Sequence, residues 1–299
     1  MRTLGFFIAA IAGSLLLAAA LAYPVYVGVH ALNPAWPFHR IASRLWLVLV
    51  VGASAWVAMH LKLNRRADWG YGAPRPAFVR DLAWGYAAGA LSMLPVAAML
   101  IALGARPLAA VGGARLLHLL WSGLVSGIAV GFVEETLFRG LLQGAVQRDM
   151  GAGRPARLAG VALVALLFAA LHFLARIEIP AAEVNAGSGL RLLAAVGDQF
   201  AAFGGIADSF LALFAVGLLL GLARLYTGNI ALAIGLHAGW VLVMRVIVGA
   251  TARPEDAHYA WLVSRSDGFT GWLVFGWTMA ILALLAAGWR PRARRRVHR

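Results

Sequence analysis

The chain has no cysteine. That excludes disulfides and thiolate chemistry and leaves the redox compartment open. Charge is also scarce: 13% of residues are Asp, Glu, Lys or Arg, about half the share of a soluble domain. Acids are scarcer still, 12 against 26 Lys plus Arg. The HExxH spacing of soluble zinc proteases is missing, so no local pattern demands a metal. There is no internal repeat of fixed period and no stretch that reads as a soluble domain. What fills the 299 residues instead is apolar: 62% are hydrophobic and the mean hydropathy is +0.80. This is the composition of an all-α, polytopic integral membrane protein. In such a chain the net charge of +14 marks positive-inside loops and contact with anionic membrane lipid, not nucleic acid.

A span needs about 20 apolar residues, and eight stretches qualify: 4–23, 44–62, 83–105, 116–146, 157–175, 206–225, 229–249 and 271–289. The first lacks a small-residue cleavage site and is kept as a span rather than a signal peptide. Pro34, Pro37, Pro74, Pro76 and Pro107 fall between spans, where helices should stop, and Pro95 is expected to kink the third. One set of alternate loops holds about twice the Lys and Arg of the other. It includes both termini, which the positive-inside rule therefore puts in the cytoplasm. The expected location is a bacterial inner (plasma) membrane. The basic tail 290–299 reads as a topology anchor and lipid contact. The longest break, 176–205, reads as an external loop with an amphipathic helix around Leu190–Phe203. The whole of 1–299 reads as one transmembrane domain, with its chemistry in 116–245.

Charge inside the apolar runs is concentrated in Gly131-Phe-Val-Glu134-Glu135-Thr-Leu-Phe-Arg139-Gly140. A charge at the bilayer centre costs about 2.5–3.5 kcal/mol on insertion scales, so such groups face a protein interior or a wet cavity and mark function. Glu135 and Arg139 are four apart, acid first, and share a helix face. Glu134 is rotated by about 100° and has no local counter-ion. Two intramembrane histidines join them, His172 in the fifth span and His237 in the seventh. Phe168 precedes His172 by one helical turn and can pack on its ring. Counted from the cytoplasmic ends, Glu134 and His172 lie about 20 Å deep and His237 somewhat shallower, so the three can meet in one cavity. Two chemistries fit them. Glu134 can activate a water that His172 helps to hold, with His237 polarising a carbonyl. Alternatively Glu134, His172 and His237 can bind zinc with one open position. A proton-coupled transporter is a further reading, but inverted repeats and broken helices are not evident. His39, His60 and His118 sit near span ends and read as interfacial.

Glu134-Glu135-xxx-Arg139, Phe168-xxx-His172 and His237 stand in the order of the three motifs of the CAAX prenyl-protease and bacteriocin-processing (type II CAAX prenyl endopeptidase) family of intramembrane proteases. The text from Gly217 to Trp240 also resembles that family's third-motif region, and the resemblance spans about residues 116–245. It implies a helical core around a cavity open to cytoplasm and bilayer. It also implies hydrolysis of a peptide bond in a membrane-associated protein or peptide. By position, Glu134 would be the base acting with His172, Glu135 and Arg139 would support the site, and His237 would stabilise the oxyanion. No cofactor is required on that reading, and zinc is the alternative. One departure is Val241, where the family often has Asn or Asp. Val cannot donate a hydrogen bond, so Trp240, Arg245 or a backbone group would have to replace it. Failing that, the chain would be a non-catalytic scaffold or immunity-type member.

Overall fold

In a computed structural model, the described residues are 2–151, 153–173 and 178–288. The basic tail 290–299 lies outside them. Ten α-helices make up nearly all of the described chain: α1 (Arg2–Leu32), α2 (Phe38–His60), α3 (Arg75–Ala102), α4 (Gly113–Glu135), α5 (Gln143–Met150), α6 (Arg154–His172), α7 (Ser188–Ala201), α8 (Ala207–Thr227), α9 (Ala231–Ala250) and α10 (Trp272–Gly288). A π-helical segment, Thr136–Leu142, joins α4 to α5 without a break. No strand occurs among the described residues.

Seven helical stretches are long and apolar enough to cross a membrane, with α4, the π segment and α5 counting as one of 38 residues. The eighth expected span is a helix of 17 residues, α10, and is shorter than the others. The first helix does not stop at Tyr23-Pro24 but runs through Pro24 to Leu32. Pro76 is not between helices. It occupies the first turn of α3, where its missing N–H is no loss. The expected external helix is α7, whose Gly189 lies against the backbone of Ala19 in α1. Large apolar side chains such as Trp56, Trp84, Trp121 and Leu117 stand more than half exposed on the helix surfaces, as a lipid-facing exterior requires.

Helix α9 is the axis of the bundle, and small residues put it there. Gly85 and Gly89 of α3 face Gly235 and Gly239 of α9 with their backbones touching. A Cβ on Gly239 would fall 2.6 Å from the Ala90 amide nitrogen. On its other side α9 meets Gly123, Gly127 and Gly131 of α4, where a Cβ on Gly127 would lie 2.6 Å from the Ala238 carbonyl oxygen. Lipid supplies no hydrophobic drive between helices, so close backbone approach of this kind replaces it. A second seam joins α6 to α8 through Gly217 and Gly221, which face Ala165 and Val161.

The chain between α2 and α3 is tucked inward. Trp69 donates its indole N–H to the Leu63 carbonyl at 2.8 Å. Gly70, at φ +82°, a value suited to glycine, accepts the Ile230 amide at 3.1 Å. Asn229, Ile230 and Ala231 are consequently buried, so α9 begins inside the protein. On the opposite side Arg106 is buried and donates to the Thr251 hydroxyl at 2.7 Å and the Gly268 carbonyl at 2.6 Å, tying two connections together.

Candidate active site

Glu134 and Glu135 end α4, and the backbone widens into the π segment directly after them. Such insertions recur at functional sites because they re-aim side chains. The segment is held from outside its own helix. Arg224 donates to the Gly140 carbonyl at 3.3 Å, and the Trp69 carbonyl packs on Gly140 where a Cβ would not fit. Thr136 donates its hydroxyl to the Phe132 carbonyl at 2.6 Å and accepts from the Tyr71 hydroxyl at 2.5 Å. Burial pushes the Tyr71 phenol above its ordinary value, the Thr136 contact only partly offsetting it, so it stays a donor.

Glu135 is fully buried and takes two partners on one oxygen. Arg139 donates to Oε1 at 3.0 Å, and His237 Nδ1 lies 2.8 Å from the same atom. Arg139 is equally buried and donates to the Gly217 carbonyl at 3.2 Å. Its guanidinium lies 4.2 Å from the centre of the Phe168 ring. Phe168 also meets the His172 ring at 4.3 Å between centres, so one aromatic side chain braces two polar groups.

Glu134 is about one quarter exposed and points to the two histidines. Its Oε2 lies 3.6 Å from His172 Nε2 and 4.0 Å from His237 Nε2. Both imidazoles are turned the same way. His172 Nδ1 is 2.8 Å from the Phe168 carbonyl, and His237 Nδ1 is on Glu135. A carbonyl or a carboxylate engaged by arginine can only accept, so each neutral ring carries its proton on Nδ1 and offers the Nε2 lone pair towards Glu134. The structure thus brings Glu134, Glu135, Arg139, Phe168, His172 and His237 together.

It separates other candidates from them. Trp240 donates its indole N–H to Ser92 Oγ at 2.9 Å, on the α3 side. It is a packing residue between α9 and α3, and its donor is committed elsewhere. Arg245 is exposed, two turns further along α9. Val241 lies one turn beyond His237 and is half-buried. The depth count needs one correction. His172 is the last residue of α6 and His237 only the seventh of α9, yet both reach the same carboxylate, because α9 starts inside the protein on the tucked 61–72 segment.

Among the described residues no group of three or more His, Cys, Asp or Glu side chains is arranged to hold a metal ion. The donor types suit zinc, and Glu134 Oε2 lies 3.6 Å and 4.0 Å from the Nε2 atoms of His172 and His237.

A family model described as type II CAAX prenyl endopeptidase Rce1-like matches residues 116–243, a segment that includes the six clustered residues. The matched segment is similar to the CAAX prenyl-protease and bacteriocin-processing family, and the match supports a CAAX-type intramembrane endopeptidase carried by an integral membrane protein. Comparison with curated proteins and with solved structures gives no match.

Gln143 and Gln147 escaped the reading of the sequence. Their signal was present: they continue the four-residue step from Glu135 through Arg139. The small-residue stripes of α3, α4 and α9 were equally visible and went unread.

Proposed function

We propose that the protein hydrolyses a peptide bond of a membrane-associated protein or peptide, with Glu134 as general base. The observation that carries this reading is one carboxylate oxygen, Glu134 Oε2, facing the Nε2 atoms of His172 and His237 while both Nδ1 atoms are anchored. A water between them donates one hydrogen to Glu134 and the other to His172 Nε2. Its oxygen attacks the scissile carbonyl carbon as Glu134 takes the proton. The carbonyl π electrons move to oxygen. His237, when protonated at Nε2, donates to that oxyanion, and Glu135 beneath it balances the imidazolium. Collapse breaks the C–N bond, and Glu134 returns its proton to the leaving amine. Arg139 holds Glu135 in place, and Glu134 and Glu135 together face the two cations, Arg139 and the His237 imidazolium.

No step passes through a metal. The test is a stripped preparation assayed in chelator against a broad peptide library. Retained cleavage supports the reading. Loss reversed by added zinc assigns the water's activation to a metal instead. Glu134→Gln is expected to lower kcat by at least about 100-fold in a folded protein.

The oxyanion donor is the less complete part, because Val241 and Trp240 supply none. Val241→Asn is expected to raise kcat; a neutral or harmful outcome would assign the role to His237 alone. A wild type and a Val241→Asn variant that both cleave nothing would favour a non-catalytic scaffold. The bacterial inner membrane, with both termini cytoplasmic, remains the proposed location. A reporter fused after Arg299 that is active only in its cytoplasmic form would support the orientation, and activity on the far side would reverse it.

A further inference from the structure

Glu135, Arg139, Gln143 and Gln147 follow one another at four-residue steps from the site towards the end of α5. The first three are fully buried. Together they face one stripe of α8. Arg139 donates to the Gly217 carbonyl, Gln143 Nε2 donates to the Gly221 carbonyl at 3.0 Å, and Arg224 donates to Gln147 Oε1 at 3.4 Å. Arg139, Gln143 and Gln147 thus each spend one polar atom on α8, while Glu135 spends its Oε1 on Arg139 and on His237 of α9.

Each rung also keeps one buried polar atom with no partner among the described residues: Glu135 Oε2, Arg139 Nε, Gln143 Oε1, Gln147 Nε2 and Arg224 Nε. Buried polar atoms are almost always satisfied, and one isolated exception needs little comment. Five along a single seam form a pattern. They also differ in kind, running acceptor, donor, acceptor, donor, donor along the helix. A water molecule accepts from one rung and donates to the next, which matches the alternation of the first four atoms, and a water that meets both Gln147 Nε2 and Arg224 Nε would accept from each; buried waters sit where two to four such groups converge. The carbonyls of Gly217 and Gly221 border the seam, and neither glycine brings a side chain into it.

We propose that the seam between α8 and the continuous stretch from the end of α4 through the π segment into α5 is a built binding site for a file of water molecules, running from Glu135 to Arg224, and that Gln143 is the positioning residue that holds it. Resting on the peptidase reading, the file would connect the buried Glu135–Arg139–His237 group to the end of the bundle where Arg224 and Gln147 meet. It would let that group exchange protons during turnover without opening the site.

The experiment is an experimental structure of the full chain in lipid, fine enough to show ordered water, for the wild type and Gln143→Leu. The expected result is density within about 3.2 Å of at least two of the five unpaired atoms, lost beside residue 143 in the variant. A dry seam, with those atoms facing only carbon, overturns the proposal. Density that persists unchanged in Gln143→Leu overturns the role of Gln143. If Gln143→Leu does not fold, Gln147→Leu on the half-buried rung is the substitute, judged by the same density. In the peptidase assay the variant is expected to lower kcat by up to about 100-fold with KM unchanged and to alter the solvent isotope effect. An unaltered isotope effect and kcat overturn the proton-exchange role. A wild type that cleaves nothing sinks the peptidase reading, and the density then decides the seam by itself.

Discussion

Helices α8 and α9 both border the site and meet its polar residues by different means. Along α9 the contacts are backbone against backbone: Gly235 and Gly239 on α3, and Ala238 against Gly127 of α4. Its one polar side chain in the site, His237, is aimed by that packing and finished by a single bond to Glu135. Helix α8 contributes no side chain to the six-residue cluster, and its Arg224 reaches only the π segment and Gln147 beyond it. It offers carbonyls, at Gly217 and Gly221, to Arg139 and Gln143. The difference separates two tasks. A reacting group needs a fixed position, which close-packed backbones supply. A buried charge needs partners, which peptide carbonyls supply without adding charge of their own.

Breaking the α9 side should cost most. Gly239→Leu puts a side chain where a Cβ already meets the Ala90 amide at 2.6 Å. Overpacking costs about 1–3 kcal/mol where side chains can move aside, but here the obstacles are backbone atoms of α3, so the whole α3–α9 seam has to part. The variant is expected to lose its monodisperse peak in size-exclusion chromatography. A wild-type elution profile and melting temperature would show that α9 is not fixed by this seam.

Breaking the α8 side at its charged rung comes next. Glu135→Gln leaves Arg139 buried without its counter-ion, a loss of about 3–5 kcal/mol for a broken buried pair. It also leaves His237 Nδ1 a neutral amide oxygen in place of a carboxylate as its acceptor. A lower unfolding temperature together with lower kcat is expected. Lost activity with unchanged stability would mean that the pair is not structural.

The smallest effect is expected at Ser92→Ala. It removes the acceptor of the Trp240 indole, worth about 0.5–1.5 kcal/mol, and should leave kcat alone. A marked fall in kcat would return Trp240 to the chemistry.

The polar members of the site were legible because each interrupts an apolar run. Glu134, Glu135, Arg139, His172 and His237 could be picked out from the cost of leaving them in lipid. Their partners were less legible. Helical spacing pairs Glu135 with Arg139, but it does not reveal that His237 docks on the same oxygen from 102 residues away. Trp240 was read towards the site from its neighbour His237, and three-dimensional packing turned it to α3. The π segment has no composition of its own. It depends on the Arg224 and Trp69 contacts at Gly140, which come from distant chain. The 61–72 segment looks in sequence like an ordinary basic connection, and nothing there reveals that Gly70 docks on the start of α9.

The central claim is that Glu134 activates water for peptide hydrolysis in the membrane. The most direct measurement compares the membrane proteomes of cells carrying the wild type and Glu134→Gln at equal expression. The account predicts one or more membrane-associated proteins whose cleaved termini appear with the wild type and vanish with Glu134→Gln. Identical termini in the two strains, or cleavage that survives the substitution, would contradict it.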